Sequence, residues 1–210
     1  MSRGLFISFE GPEGSGKTTQ LRLLRQRLEA NGRRVTENTT EIGTRIRRIM
    51  LDPRHREMTP ITELLLMVAA QAQAAAEIIR PALTRGDIVL SDRFTDSTLA
   101  YQGAGRGLGF DTVRNVQQLS LASLSPDLTL CVMLDIETGL ARAACRNRDA
   151  REARIDQEPL DFHQRVAAGY LEIAAHDPHR FRIVDGSGDP SQVAARVWSE
   201  VCPAVAQNRI

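Results

Sequence analysis

Residues Gly11-Pro-Glu-Gly-Ser-Gly-Lys-Thr18 follow the pattern G-x-x-x-x-G-K-[ST], and they stand between two segments of opposite character. Before them, Leu5-Phe-Ile-Ser-Phe9 is a short apolar run of strand type. After them, Gln20 to Ala30 carries leucines at 21, 24 and 28, the spacing of one helix face. Glycines let backbone N–H groups turn inward where side chains would obstruct them. A helix beginning at Lys17 adds its unpaired N–H groups and the positive end of its dipole. Such a loop is built for phosphate oxygens: Lys17 reaches the β and γ phosphates of a nucleotide, and the Thr18 hydroxyl is a ligand for Mg2+. The loop alone does not choose a reaction, because GTPases, transport ATPases and kinases share it.

The rest of the chain alternates in the same manner. Strands are expected at Arg33 to Thr36, Asp87 to Leu90, Leu128 to Leu134 and Arg182 to Val184. Between them, Ile42, Ile46 and Ile49 have helical spacing, and a long apolar helix runs from about Ile61 to Leu83. Strands that are apolar on both faces and alternate with helices predict an α/β fold, a five-stranded parallel sheet flanked by helices. No repeat or linker divides the 210 residues, so one domain is expected. The stretch 146–158 is rich in charge and poor in apolar residues, which reads as a flexible flap, or LID.

Two features point to phosphoryl transfer. Ser91-Asp92-Arg93-Phe94 ends a strand at the carboxyl edge of the sheet, where ligands of open α/β folds bind. Asp92 there suits Mg2+ or its waters, and Arg93 suits an acceptor phosphate as a two-pronged donor. The flap region supplies Arg142, Arg146, Arg148, Arg151 and Arg154, which would spread over a transferring phosphoryl group and exclude water. No general base is required if the acceptor is a monophosphate, whose oxygen is already ionised; the histidines at 55, 163, 176 and 179 fall in no motif. A formal net charge of +1 gives no reason to expect nucleic acid or membrane as partner. Cys131, Cys145 and Cys202 read as unpaired thiols of a cytoplasmic protein, and no run approaches the roughly 18 consecutive apolar residues of a membrane span. The chain begins with no secretory pattern.

With these residues in view, the sequence resembles the bacterial thymidylate kinases, P-loop NTPases of the nucleoside monophosphate kinase type. The likeness is carried by Phe6 to Thr19 and, more specifically, by Asp92-Arg-Phe-Thr-Asp-Ser-Thr-Leu-Ala-Tyr-Gln-Gly103. Pro126-Asp-Leu-Thr129, Arg154-Ile-Asp-Gln-Glu158 and Phe162-His-Gln-Arg-Val166 add to it. The resemblance implies ATP and Mg2+ as cofactors and thymidine monophosphate (dTMP) or a related deoxynucleotide as substrate. It places ATP on Gly11, Pro12, Glu13, Gly14, Ser15, Gly16, Lys17, Thr18 and Thr19, with Arg142 nearby. Lys17, Asp92, Arg93, Arg148 and Arg154 would be catalytic, and Thr18 and Asp92 would hold the metal. Glu37, Arg47, Met67, Gln71, Arg93, Thr98, Tyr101 and Gln102 would surround the acceptor, Tyr101 disfavouring a ribose 2′-hydroxyl. Such enzymes are usually homodimers, and the long helix from Ile61 would serve as both interface and pocket wall.

The departures gather at the acceptor. Where relatives carry Arg-Glu-Pro-Gly-Gly-Thr, this chain has the shorter Thr36-Glu-Asn-Thr-Thr40, with Glu37 as the surviving acid. Met67 and Gln71 stand where a stacking phenylalanine and a base-binding arginine are usual; four apart, they share one helix face. Methionine still supplies a polarizable contact, and glutamine a donor and an acceptor for a pyrimidine edge. Two other readings stay open at this point: a kinase of this fold for another or modified deoxynucleoside monophosphate, and a nucleotide-binding interaction module with little kinase activity.

Overall fold

The computed structural model describes residues 3–146 and 154–207. Five parallel strands lie in the order β2-β3-β1-β4-β5: β1 (Leu5–Glu10), β2 (Val35–Glu37), β3 (Ile88–Asp92), β4 (Leu128–Met133) and β5 (Phe181–Asp185). The sheet order reverses at β1, so the crevice where bound groups collect opens beyond its carboxyl end. Phe9 pairs in register with Asp92, and Glu10 with Cys131. The phosphate loop and the Asp92-Arg93 pair are therefore neighbours because β1 and β3 are.

Alternation along the strands divides the core. Leu5, Ile7, Phe9, Leu128, Leu130 and Val132 face one side, packed with Leu21, Leu24 and Leu28 of α1 (Lys17–Ala30) and Val193, Val197 and Val201 of α9 (Pro190–Gln207). On the other side, Phe6 and Val89 meet Phe94, Ala75 and Ile79, and Cys131 meets Tyr170 and Phe181. That second face turns polar toward its carboxyl end, where Ser8, Glu10, Ser91 and Thr129 are all wholly buried. A polar interior at one edge of an otherwise apolar sheet marks where the chain spends stability on function.

The helices that wall the crevice follow from their caps. Thr40 caps α2 (Glu41–Leu51), its hydroxyl accepting from the Gly43 N–H at 2.9 Å. Thr59 caps α3 (Pro60–Ala74), which opens with Pro60 and carries Glu63 in its first turn. A π-helical turn, Ala75–Ile79, joins α3 to α4 (Arg80–Thr84). The span Pro60–Thr84 is long and apolar enough on average to cross a membrane, though Gln71, Gln73 and Glu77 interrupt it. Beyond β3 come α5 (Thr95–Thr98), a π-helical stretch Leu99–Gly105 and α6 (Phe110–Leu121). α7 (Ile136–Arg146) leads toward the flap, and α8 (Leu160–His176) packs on the Leu99–Gly105 stretch. All five expected strands are present, and the helix after the loop begins at Lys17 as expected, where Gly16 turns the chain at φ 94°.

Candidate active site

The phosphate loop is shaped by contacts only glycine permits. Gly11 has φ 132°, and a Cβ there would lie 2.2 Å from the Val132 carbonyl oxygen; at Gly14, φ 67°, it would lie 1.9 Å from that of Gly139. The loop thus wedges between β4 and α7 and delivers the first turn of α1 with no side chain capping it. Lys17 Nζ donates to the Pro12 carbonyl at 2.6 Å and lies 3.4 Å from Ser15 Oγ. Burial, with the neighbouring Arg93 charge, pulls its ammonium down to about 8 from the usual 10.5, against the opposing pull of Glu13, Asp92 and Glu10.

Across the loop, the Thr18 hydroxyl donates to Asp92 Oδ2 at 2.6 Å. A hydroxyl and a carboxylate at that separation form an all-oxygen donor set of the kind a hard divalent cation prefers, so the residues fit Mg2+. Arg93 stands beside them with a left-handed backbone, φ 72°, rare for a residue with a side chain. Its N–H donates to the Phe9 carbonyl at 2.9 Å, fixing the turn. Its guanidinium is held from every side: Nη1 donates to the Gly11 carbonyl, Ser97 Oγ and Tyr170 OH, and Nη2 to Glu13 Oε1 and Tyr101 OH, all within 3.1 Å.

Behind Arg93 lies Glu10, wholly buried at the end of β1. It accepts from Ser8 Oγ at 2.7 Å, from the Phe94 N–H at 2.7 Å and from Ser97 Oγ. Burial and the nearby Asp96 charge push its carboxyl up, against the Ser97 and Ser8 bonds and the Arg93 charge. Glu10, Ser97 and Tyr170 fall in no spacing pattern that sequence reasoning exploits. Glu10 and Ser97 do lie within the runs that carry the family likeness, Phe6 to Thr19 and Asp92 to Gly103, and a charged residue ending an apolar strand, Phe9-Glu10, directly before the loop is a further signal.

One cavity of about 680 Å³ connects these groups. Its walls include Glu13, Gly14, Gly16, Lys17, Thr18, Thr19, Asp92 and Arg93 from the transferring groups. Thr39, Arg47, Ser97, Tyr101, Met50, Leu51, Met67, Gln102, Ile155 and Asp156 line the same cavity. A second cavity, about 670 Å³, lies on the other side of the loop between the ends of β4 and β5, with Asp135, Thr138, Arg142, Asp185 and Ser187 on its walls. Among the described residues no cluster of three or more His, Cys, Asp or Glu side chains offers a separate metal site.

The structure sorts the residues singled out by sequence. Arg47, Met67, Tyr101 and Gln102 line the first cavity with the loop, Asp92 and Arg93; Arg142 lines the second. Glu37 does not reach the cleft, since its carboxylate binds Arg25 of α1 at 2.7 Å. Gln71 and Thr98 are buried and lie behind the lining: Gln71 Nε2 donates to the Phe94 carbonyl at 3.0 Å and to Thr98 Oγ1 at 2.8 Å. Helical spacing correctly puts Met67 and Gln71 on one face, but one further turn carries position 71 under the chain at Phe94, where a buried carbonyl takes its hydrogens. Arg154 is buried as well, donating to the Met50 carbonyl at 2.6 Å and to Glu63. With Arg106 it forms the pair of guanidiniums on the buried Glu63 carboxylate. Arg148 and Arg151, with the flap residues 147–153, lie outside the described residues.

The sheet order, the phosphate loop and a cleft that joins that loop to Arg47, Met67 and Gln102 define a nucleoside monophosphate kinase fold. The family model for thymidylate kinase matches residues 9–197. The thymidylate kinase of Citrifermentans bemidjiense is 48% identical over 201 residues, covering 92% of this chain and 89% of that protein. That of Deinococcus radiodurans is 45% identical, covering 96% and 98%. The crystal structure of thymidylate kinase from Ehrlichia chaffeensis superposes with a TM-score of 0.74 at 28% identity, over 94% of this chain and 97% of that one. This chain belongs to the thymidylate kinase family.

Proposed function

We propose that the chain transfers the γ-phosphoryl group of ATP to dTMP, giving ADP and dTDP in the supply of pyrimidine deoxynucleotides. What carries this reading is the continuity of one cleft from Lys17 and Arg93 to Met67 and Gln102. A monophosphate seated there has its phosphate at the transferring end and its base at the apolar end. The Gln102 amide gives its hydrogens to Glu63 at 2.8 Å, and its carbonyl oxygen has no partner among the described residues.

In this reading the α1 N-terminus and Lys17 hold the donor's phosphates, and the second cavity takes its nucleoside, with Arg142 on the wall. Arg93, whose Nη hydrogens are taken by protein groups, lays a fixed positive charge beside the acceptor phosphate. An oxygen of that phosphate attacks the γ-phosphorus while the bond to the β–γ bridging oxygen breaks, so charge placement and positioning carry the reaction and no side chain needs to remove a proton. Mg2+, held by Thr18 and Asp92, would neutralise charge on the donor's phosphates. Residues 146–158 would form the flap that excludes water. Convergence of Lys17, Thr18, Asp92 and Arg93 on one cleft favours a phosphotransferase over a binding module without turnover.

A second copy of the chain is the proposed protein partner, with no nucleic acid or membrane among the partners. Ile42, Ile49, Ile61 and Leu65 are each about half exposed on the outer faces of α2 and α3, a patch of the kind that dimers bury. Cys131 is buried and Cys145 and Cys202 are exposed, all as free thiols, in keeping with a cytoplasmic setting. The test is formation of ADP and dTDP from ATP, Mg2+ and dTMP by the intact chain, with loss in Lys17→Ala. Equal product from that variant would refute the assignment.

A further inference from the structure

β2 and β3 pair with Glu37 beside Leu90, so the next residues, Asn38 and Ser91, stand abreast near the carboxyl edge of the sheet. Only Thr39 separates Asn38 from Thr40, whose hydroxyl caps α2. A connection that short is held at both ends. Asn38 Nδ2 donates to Ser91 Oγ at 2.7 Å, and Ser91 Oγ donates to the Arg93 carbonyl at 2.6 Å. A hydroxyl has one hydrogen and two lone pairs. By filling a lone pair of Ser91, the Asn38 amide leaves the single hydrogen for Arg93. Ser91 is wholly buried, so bulk water does not compete for it.

The Arg93 backbone requires such support. Its φ of 72° is strained for a residue with a side chain and persists only where the surroundings over-determine it. The Arg93 N–H is bound by the Phe9 carbonyl at 2.9 Å, and the following N–H, that of Phe94, by Glu10 Oε1 at 2.7 Å. The Arg93 carbonyl and the Phe94 N–H belong to one trans peptide plane and point opposite ways, so Ser91 and Glu10 grip that plane at its two ends. Of these holds, the one through Ser91 is supplied from the β2–α2 connection, where Thr39 lines the cleft.

We propose that Asn38 is a positioning residue for phosphoryl transfer: acting through Ser91, it locks the Arg93–Phe94 peptide and so fixes where the Arg93 guanidinium stands. The inference rests on the reading of Arg93 as the charge beside the acceptor phosphate. A connection on the wall of the cleft and the arginine that serves the transfer are by this route one hydrogen-bonded unit.

The test is a double-mutant cycle of Asn38→Ala, Ser91→Ala and the two together, with kcat and KM for dTMP, KM for ATP and a thermal melt of each. Asn38→Ala should lower kcat about three- to tenfold and leave KM for ATP within about twofold. The double variant should be no slower than Ser91→Ala alone, to within about twofold, since the second change removes support from a bond already lost. Effects that multiply, or an unchanged kcat in Asn38→Ala, overturn the proposal. So does a rise confined to KM for dTMP that is the same with and without Ser91, which would make Asn38 a direct contact of the acceptor. If the unmodified protein does not phosphorylate dTMP at all, it is the proposed function that fails; if it does and kcat is unchanged in Asn38→Ala, only this inference fails.

A second measurement needs Asn38→Ala alone and no turnover. The dipeptide Arg-Phe occurs twice in the chain, at 93–94 and 180–181. Labelling with 13C-carbonyl arginine and 15N-phenylalanine therefore gives two linked carbonyl–amide signals, the second serving as a control. In the variant the 93–94 signal should move and the 180–181 signal should stay. A 93–94 signal that keeps its place overturns the proposal.

Discussion

Arg93 reaches the Glu13 carboxylate at 2.6 Å while its own backbone is held in the left-handed region. The phosphate loop and the end of β3 are thereby joined by one charged bond, and the guanidinium is aimed before any phosphate arrives. Burial opposes its charge, yet Glu13 and the Tyr101, Tyr170 and Glu10 groups keep its pKa well above the usual value. Arg93 is a permanent cation in a water-poor site, the condition under which a charge contributes most to a transition state. Arg93→Ala should lower kcat for dTMP at least tenfold, with a smaller effect on the thermal midpoint. A change below twofold in steady-state assays would make this arginine structural only.

Lys17 gives a pH dependence whose sign is fixed by its surroundings. Its folded-state pKa, about 8, lies below the usual 10.5, so the free protein loses this charge on the alkaline side of neutrality. Phosphates bound beside it favour the ammonium and raise that value. kcat/KM for ATP should therefore fall as pH rises through about 8, whereas kcat, which reports the bound state, should hold to higher pH. The same depression means the folded state binds fewer protons at this site than the unfolded chain between about pH 8 and 10.5. Its contribution to stability is greatest above that window and is lost as pH falls through it. A flat kcat/KM profile from pH 7 to 9.5 would contradict the assignment.

Gln71 marks the limit of pattern reading. The family resemblance makes it a partner for the base, but its hydrogens are spent on the Phe94 carbonyl and Thr98. Gln71→Leu should cost about 1–3 kcal/mol of stability by leaving a buried carbonyl without its donor. KM for dTMP should move less than threefold. A tenfold rise in KM with an unchanged melting temperature would return this residue to the pocket.

The five parallel strands and the transferring end of the cleft were legible because each rests on local chemistry: glycines that need positive φ, a lysine and a threonine at fixed offsets, apolar runs of strand length. Asp92 and Arg93 could be placed because a strand end is a predictable position in a parallel sheet. The acceptor wall was less legible, since it depends on which buried groups satisfy one another across long sequence separations. Glu63 binds Gln102, Arg106 and Arg154, and Glu10 binds Ser97 and Phe94, pairings no periodicity encodes. Glu37 was misplaced for the same reason, because Arg25 on α1 claims its carboxylate.

Away from the cleft, Asp96 is buried and gripped by Arg180, with contacts of 2.7 and 2.9 Å to its two oxygens. Thr129 adds a third bond at 2.7 Å. Arg180→Ala would leave that carboxylate buried without its counter-ion, a loss of about 3 kcal/mol and of about 6–12 °C in thermal midpoint for a chain of this size. Calorimetry checks it; a shift under about 2 °C would show that the pair is offset by solvent.

The central claim is that the cleft accepts a thymidine-type monophosphate. The most direct measurement is ADP formation from ATP and Mg2+ with dTMP, dUMP, dCMP, dAMP and dGMP in turn, at matched concentration. The account predicts strong turnover with dTMP, weaker turnover with dUMP, and rates at least a hundredfold lower with dCMP and the purines. Turnover led by dCMP or by a purine nucleotide, or none with any acceptor, would contradict it.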